Sequence, residues 1–596
     1  MNTNKKRTLL LVVVFAMAAA GWFLGGGLHR SEAQTATVLG FAELGKPLPD
    51  LKTGEAEALA LYAAARLKGD SAGAVFPKRL RNDAEPRICF VTLSDGKGTR
   101  KVVSGTGQGL LKALDQALQT MMQDPLSKRF RWIKVDLVKG AQVLKDLDLE
   151  KPLPFEASLF GLAPQGLVDQ ALLPEELSLL LAQRAGKLSL DRANALLNET
   201  RAFPPTRKIE KKSVNFAVFN TISVFSDGRE AWPLFRGKRL WQAYTEKDVE
   251  QGLSWAGKYL ARSVRNDGSF VYLYDPIQDR EISDYNLVRH AGTIFAMLEL
   301  YRRNRDPELL SAAERAIGYL LRQVKEGKVQ GRVVKFPVED GKVKLGGNAL
   351  AVLALAEYER TTGERRYRDQ MRALGEWILA TQAPDGRFTV HMQGYPDGKV
   401  SKFQSEFYPG EAIFALMRLY GLTGEMKWLD AADAGARYQL KAFAKLDDAK
   451  LPHDHWLLYG LNELHRKRPR PEFLEGAMRF ARVIIQAQHT RANQSQPDWE
   501  GGFYKPPRSA PTATRMEGLN SAYALARDFG LRREAKLIRE SIERGTAFLL
   551  GIQIGPETAM YCKNPEKSLG GVRESLTNFL VRIDYVQHMI SAMVNK

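Results

Sequence analysis

Residues 405–420 read SEFYPGEAIFALMRLY, which sets Glu406, Tyr408 and Glu411 at the head of an apolar run. Residues 284–301, DYNLVRHAGTIFAMLELY, repeat that layout with Asp284, Tyr285, Arg289 and His290. His453, Asp454, His455 and Trp456 open a third run, Arg515 and Glu517 a fourth, and Trp499 and Glu500 stand on a turn. Hydrolysis of a glycosidic bond needs two carboxyls, one acid and one base or nucleophile. Glu406, Asp454, Glu517 and Asp284 are the candidate catalytic groups for that reaction. Tyr285, Tyr408 and Trp456 can stack on sugar faces, and Arg289 and Arg515 can hold a uronate carboxylate through two parallel hydrogen bonds. His290, Glu411, His453, His455 and Trp499 complete the expected substrate-binding set. With Tyr or His as base and acid, Tyr408, Tyr285 and His290 move to the front and the pool suits a lyase or epimerase. A catalytically inert glycan-binding or scaffold module is the third alternative.

Other chemistries fit less well. Histidines at i and i+2 point apart on a helix, so His453 and His455 chelate jointly only from a strand or loop. No third ligand stands at motif spacing, and no metal or cofactor is expected. His588, inside the apolar last run, reads as a core histidine. Terpenoid cyclisation would call for an Asp-rich DxDD or DDxxD motif, and the chain has neither. Any single acidic residue here can simply cap a helix, a gain of ~0.3–1 kcal/mol. The set argues for more, because five of six such runs begin with ionisable or aromatic residues and then turn apolar.

The elements that position these residues follow from periodicity. From residue 246 onward apolar positions recur at helical spacing in twelve segments: 246–263, 286–303, 307–326, 347–362, 365–383, 408–422, 426–442, 454–468, 471–489, 515–529, 532–550 and 575–593. Twelve helices make six hairpins. Even-numbered segments are rich in Gly and Ala near their starts, which allows close packing around an axis, while odd-numbered ones carry more charge and suit an outer ring. Three odd-numbered segments are followed by similar turns, NDGSF at 266–270, PDGRF at 384–388 and WEGGF at 499–503. The expected fold is therefore mainly α: an α/α six-hairpin toroid in which the inner-helix starts converge.

On this repeat pattern residues 246–593 resemble the six-hairpin glycosidase group, with its relatives among epimerases and polysaccharide lyases. The resemblance implies a sugar-binding cleft lined by the inner-helix starts and their loops. Ahead of the toroid, residues 35–230 read as an α+β domain: a strand ICFVTL at 88–93, a turn at 94–98, a return strand at 101–104 and a helix to about Met122. The glycines at 105–109 lack the GKS/T ending of a phosphate loop and read as a tight turn with a helix cap. RICFVTLSDG at 87–96, FEASLFGL at 155–162 and GLVDQALLPEELSLLLAQRAGKLSLD at 166–191 resemble the AMMECR family. That family's Arg-Gly-Cys-Ile-Gly motif is replaced here by RKVVS at 100–104, so no activity carries over. Residues 200–245, with Pro204, Pro205, a charge run and a short strand FAVFNTISVF, read as the connection between the units. The toroid is expected over 231–596.

Lys5, Lys6 and Arg7 precede an apolar run from Leu9 to Leu24, so residues 1–34 read as a signal anchor or signal peptide. Either device exports the bulk of the chain, and the expected location is the cell envelope: anchored in the inner membrane with the bulk in the periplasm, or secreted if the segment is cleaved. Net charge is +19, yet the basic residues are scattered and no nucleic-acid module signature occurs, so no nucleic-acid partner is expected. Cys89 and Cys562 are the only cysteines, which excludes a disulfide framework. The expected partners are an envelope or extracellular polysaccharide or oligosaccharide, and the membrane through the N-terminal segment.

Overall fold

The computed structural model describes residues 40–70, 72–182, 187–205, 207–210, 215–329 and 331–595. The Leu9 to Leu24 run lies outside the described residues. Among those described, no helix is long and apolar enough to cross a membrane.

The chain first folds into an antiparallel sheet. Strands β1 (Pro86–Ser94) and β2 (Arg100–Gln108) pair in full register across the turn at Asp95, whose carboxylate accepts from the Lys97 and Thr99 amides. Alternation along β1 sends Cys89, Val91 and Leu93 to the face covered by α1 (Glu55–Lys68) and α2 (Leu110–Met122), and Ile88 and Phe90 to the opposite face with Phe41 and Phe219. Gly105 and Gly107 lie in β2 against α2, where a Cβ would stand 2.1 Å from the Ala113 carbonyl oxygen or 2.9 Å from its amide nitrogen, while Gly109 is the N-cap of α2. Strands β3 (Trp132–Lys145), β4 (Phe160–Pro164), β5 (Asn215–Ser226), β6 (Ala231–Phe235) and β7 (Lys238–Arg239) give the order β2-β1-β3-β5-β6-β7, with β4 also on β5. Helices α3 (Pro174–Ala182) and α4 (Leu190–Thr200) lie between β4 and β5 in the chain.

The reading of residues 200–245 as a connection is corrected here. FAVFNTISVF is β5, paired with β3 on one side and with β4 and β6 on the other. Phe216, Ala217, Val218, Phe219, Val224 and Phe225 are buried, so both faces of the strand carry core. The sheet continues to Arg239, past residue 230.

Twelve long helices follow among the described residues: α5 (Glu246–Ser263), α6 (Leu287–Asn304), α7 (Pro307–Arg322), α8 (Leu345–Thr362), α9 (Arg368–Ala380), α10 (Tyr408–Thr423), α11 (Met426–Phe443), α12 (His455–Lys467), α13 (Pro471–Ala487), α14 (Ser509–Asp528), α15 (Arg532–Ile552) and α16 (Ile583–Val594). The even-numbered members pack in a closed ring, α6-α8-α10-α12-α14-α16 and back to α6, with the odd-numbered members outside it. The ring is the α/α six-hairpin toroid, and its inner helices are apolar almost all round: α8 buries every residue from Leu345 to Glu359.

The repeated turns follow outer helices, and each docks on the next outer helix. Gly268, Gly386 and Gly501 all have positive φ, and a Cβ at each would stand 2.0–2.2 Å from the carbonyl oxygen of Arg315, Ala434 or Arg544. Only glycine fits there, and the aromatic two residues on (Phe270, Phe388 or Phe503) is buried. A glutamine clamps several of these joints. Gln382 donates to the carbonyls of Gly386 and Ala431, Gln488 to those of Gly501 and Ser541, and Gln553 to those of Gly252 and Gly570. Sheet and toroid share one core through Trp132 and Phe225. Ion pairs also join them, such as Lys238 to Asp498 at 2.7 Å, and the Arg100 guanidinium lies 4.5 Å from the Tyr561 ring.

Candidate site at the inner-helix starts

The start of α12 is the centre of the arrangement. Asp454 is its N-cap: Oδ1 accepts from the Trp456 amide at 3.0 Å and the Leu457 amide at 3.2 Å. The carboxyl is nonetheless buried, and burial pushes its pKa up to about 8, with Glu406 adding to the rise and the two amides opposing it. Glu411, in the first turn of α10, is likewise pushed up to about 8 by burial and by the Asp454 charge, and its Oε2 has no hydrogen-bond partner. Glycines leave room for both groups. A Cβ at Gly410 would stand 2.4 Å from Asp454 Oδ2, and one at Gly346 would stand 2.2 Å from Glu411 Oε2. Glu406, by contrast, is exposed. The arrangement combines two buried carboxylic acids, protonated at neutral pH, with one exposed carboxyl group.

Beside Asp454, His453 Nδ1 accepts from Arg515 Nε at 2.6 Å. That bond fixes the histidine as the Nε2–H tautomer, and burial plus the guanidinium charge hold its pKa down at about 4. Exposed aromatics stand around this point. Phe403 packs on Tyr408 with ring centres 5.9 Å apart, Phe407 lies 6.3 Å from the His455 ring, and Tyr504 lies 5.1 Å from the Arg515 guanidinium carbon. Sequence reasoning missed these three. Their signal was aromatic residues in polar loops just ahead of inner helices.

His455, Glu517 and His588 come together from α12, α14 and α16, with one ligand atom of each within 4.8 Å of the others. Glu517 is fully buried and burial raises its pKa, opposed by His588, whose Nδ1 lies 2.8 Å from Glu517 Oε1. Both ring nitrogens of His455 are buried without a partner, and burial keeps that ring neutral. These three residues are the set that could hold a divalent cation. His453 and His455 do not chelate together, since His453 is turned to Arg515. His588, expected as a satisfied core histidine, is a member of this polar cluster.

The remaining candidates spread out. Asp284 is exposed and accepts from its own neighbour, the Tyr285 amide, at 2.9 Å. His290 is fully buried and cross-ties three elements: Nε2 donates to the Ala316 carbonyl at 2.9 Å, and Nδ1 accepts from the Tyr285 hydroxyl at 2.8 Å. That hydroxyl in turn accepts from the Phe270 amide. Both side chains are engaged in packing the start of α6. Arg289 donates to Asp584 and to the Tyr272 hydroxyl, and Arg582 grips the same aspartate through two hydrogen bonds. Trp456 is buried among Phe295, Phe414 and Tyr459, and presents no face for stacking on a sugar. Trp499 lies tilted against His489 with centres 5.5 Å apart.

No family model and no curated protein matches the chain, so the AMMECR likeness rests on the short segments quoted above. Solved structures do match. A D-mannose isomerase aligns with TM-score 0.44 and 15% identity over 59% of this chain and 99% of its own. A cellobiose 2-epimerase from Bacillus thermoamylovorans B4167 gives 0.43 and 12% over 59% and 99%. An α-1,6-mannanase from Salegentibacter sp. HEL1_6 gives 0.42 and 11% over 58% and 98%. These three are solved structures that the chain is similar to. Its own toroid is established by the closed helix ring, and its chemistry has to be read from its own residues.

Proposed function

We propose that this protein is a carbohydrate-active enzyme that hydrolyses a glycosidic bond at the inner-helix starts, with Asp454 as the acid and Glu406 as the base or nucleophile. The observation that carries the reading is the contrast between these two carboxyls. Asp454 is buried and keeps its proton to about pH 8, while Glu406, near enough to add to that rise, faces water. Environments that push two carboxyls apart divide them into acid and base, which is what glycoside hydrolysis requires. Phe403, Phe407 and Tyr504 supply exposed ring faces for the sugar. Export to the cell envelope by the Leu9 to Leu24 run belongs to the same proposal and rests on the sequence alone.

A second reading is favoured by the histidine pair. His455 offers two unpartnered nitrogens and His588 is oriented by Glu517, a set suited to moving a proton on and off a sugar carbon, as in epimerisation or isomerisation. One experiment separates the two: the chain is incubated with neutral and acidic oligosaccharides in D2O. New reducing ends that vanish in Glu406→Gln and Asp454→Asn support hydrolysis. Deuterium entering a carbon-bound position, lost in His455→Gln but kept in Glu406→Gln, supports the second reading. Sugar binding with neither product would sink both and leave a glycan-binding module.

A further inference from the structure

We propose that Arg515 recognises an anionic substituent of the sugar, a carboxylate or a sulfate ester; this rests on the carbohydrate reading above. Two arginines stand among the candidate substrate contacts, and their surroundings differ. Arg289 lies against Asp584 at 3.1 Å, in an ion pair shared with Arg582, and its side chain is 38% exposed to water. Arg515 is 8% exposed, and every acceptor it meets is neutral: His453 Nδ1, the Pro511 carbonyl at 2.8 Å and the Tyr504 hydroxyl at 3.3 Å. Among the described residues it pairs with no carboxylate.

A buried cation without a counter-charge is costly, and proteins rarely keep one unless something completes it. Burial holds the Arg515 pKa below the ordinary arginine range, whereas Arg582, paired with Asp584, is raised. Asp454, next to His453, does not supply the charge, since it stays protonated to about pH 8.

The donor arithmetic leaves room for a ligand. A guanidinium carries five N–H groups in a planar fork, three acceptors account for three of them, and two remain. Two free N–H groups match the oxygens of a carboxylate or sulfate. The position also fits. Arg515 lies beneath the exposed Tyr504 ring, and it bonds to the residue next to Asp454. An anionic group held there would set its sugar against the acid.

The test is binding of three tetrasaccharide sets by the full chain: glucuronate or mannuronate, the 6-sulfated neutral sugars, and the unmodified neutral sugars. The expected result is that one anionic set binds at least about 30-fold more tightly than the neutral set. Arg515→Gln should erase that preference and Arg515→Lys restore part of it. The carboxylate and sulfate arms tell which anion is read. Equal or tighter binding of neutral sugars overturns the inference while leaving the carbohydrate reading intact. So does an Arg515→Gln variant that weakens all three sets alike. Failure of every set to bind overturns both. Melting curves check that each variant folds; if Arg515→Gln does not, the wild-type preference and the lysine variant decide the matter.

Discussion

Glu517 joins three inner helices: Oε1 lies 2.8 Å from His588 Nδ1 on α16, and Oε2 accepts from the Tyr459 hydroxyl of α12 at 3.3 Å. A fully buried carboxyl with both oxygens engaged is sensitive to its substituent. Glu517→Gln keeps two hydrogen-bonding atoms and should fold with modest loss. Glu517→Leu strands His588 and Tyr459 in the core, and each buried polar group left unmatched costs about 1–3 kcal/mol. Urea unfolding of the two variants should show that order, with the leucine variant clearly the less stable.

Much of this architecture is legible in the sequence, and what escapes has a physical reason. Twelve helical periods, the glycines at inner-helix starts and the three repeated turns all follow from local spacing, and each helix lies within a few residues of its expected segment, apart from the early start of α14 and the late start of α16. FAVFNTISVF is legible as a strand, but the prolines and charges ahead of it hid its place inside the sheet, where it pairs with β3, β4 and β6. At the site, residue type was a good guide to who stands at the helix starts and a poor guide to which way they face. Trp456 and His290 went into the core, whereas His588 turned to Glu517; only the closing of the ring decides such directions. The Gln382, Gln488 and Gln553 clamps were invisible because a glutamine after a helix carries no signal until its carbonyl partners, far along the chain, are known.

The paired acids give a pH signature. Glu411 rises from an ordinary 4.5, and Asp454 from 3.8, to about 8 in the folded chain. The native state therefore holds more protons than the unfolded state across that window, and stability falls as pH rises through it. Glu411→Gln removes one of these groups. Relative to wild type it should gain stability as pH increases from 5 to 8, by a few kcal/mol, and show no such gain near pH 4. Melting temperature against pH for both proteins measures this. A constant offset between the curves would contradict the assignment.

The same ionisation bears on turnover. If Asp454 is the acid, kcat/KM should fall on the alkaline side with a midpoint near 8, as the buried carboxyl loses its proton. Glu406 is the charged neighbour that adds to the Asp454 rise, so the residual activity of Glu406→Gln should show that midpoint moved down. A residual pH–rate profile with its alkaline limb unmoved in Glu406→Gln would detach the limb from Asp454.

Gln488 tests the joints of the toroid. Its amide nitrogen donates to the Gly501 and Ser541 carbonyls, and its oxygen accepts from the Ser541 hydroxyl at 2.7 Å, all in a fully buried position. Gln488→Ala would leave those groups without partners, and about 2–4 kcal/mol should be lost. Gln382 makes the equivalent contacts but is only half-buried, so water can replace them and Gln382→Ala should cost less. Denaturant midpoints of the two alanine variants give the comparison directly.

Gly410 and Gly421 lie on the same helix, α10, and should respond to alanine in opposite directions. Alanine is the better helix former by up to about 1 kcal/mol. At Gly421 nothing lies within 4 Å of the added carbon, so Gly421→Ala should be neutral or stabilising by that amount. At Gly410 the carbon would stand 2.4 Å from Asp454 Oδ2 and 2.6 Å from the Leu457 amide nitrogen. The carboxylate can rotate away, but the amide belongs to the first turn of α12 and cannot, so α10 and α12 must separate. Overpacking of this kind costs about 1–3 kcal/mol and exceeds the propensity gain. Gly410→Ala should therefore lower the denaturant midpoint and also depress activity, because the shifted turn is the one that holds Asp454. A Gly410→Ala variant as stable and as active as Gly421→Ala would mean that the two helix starts are not locked together as described.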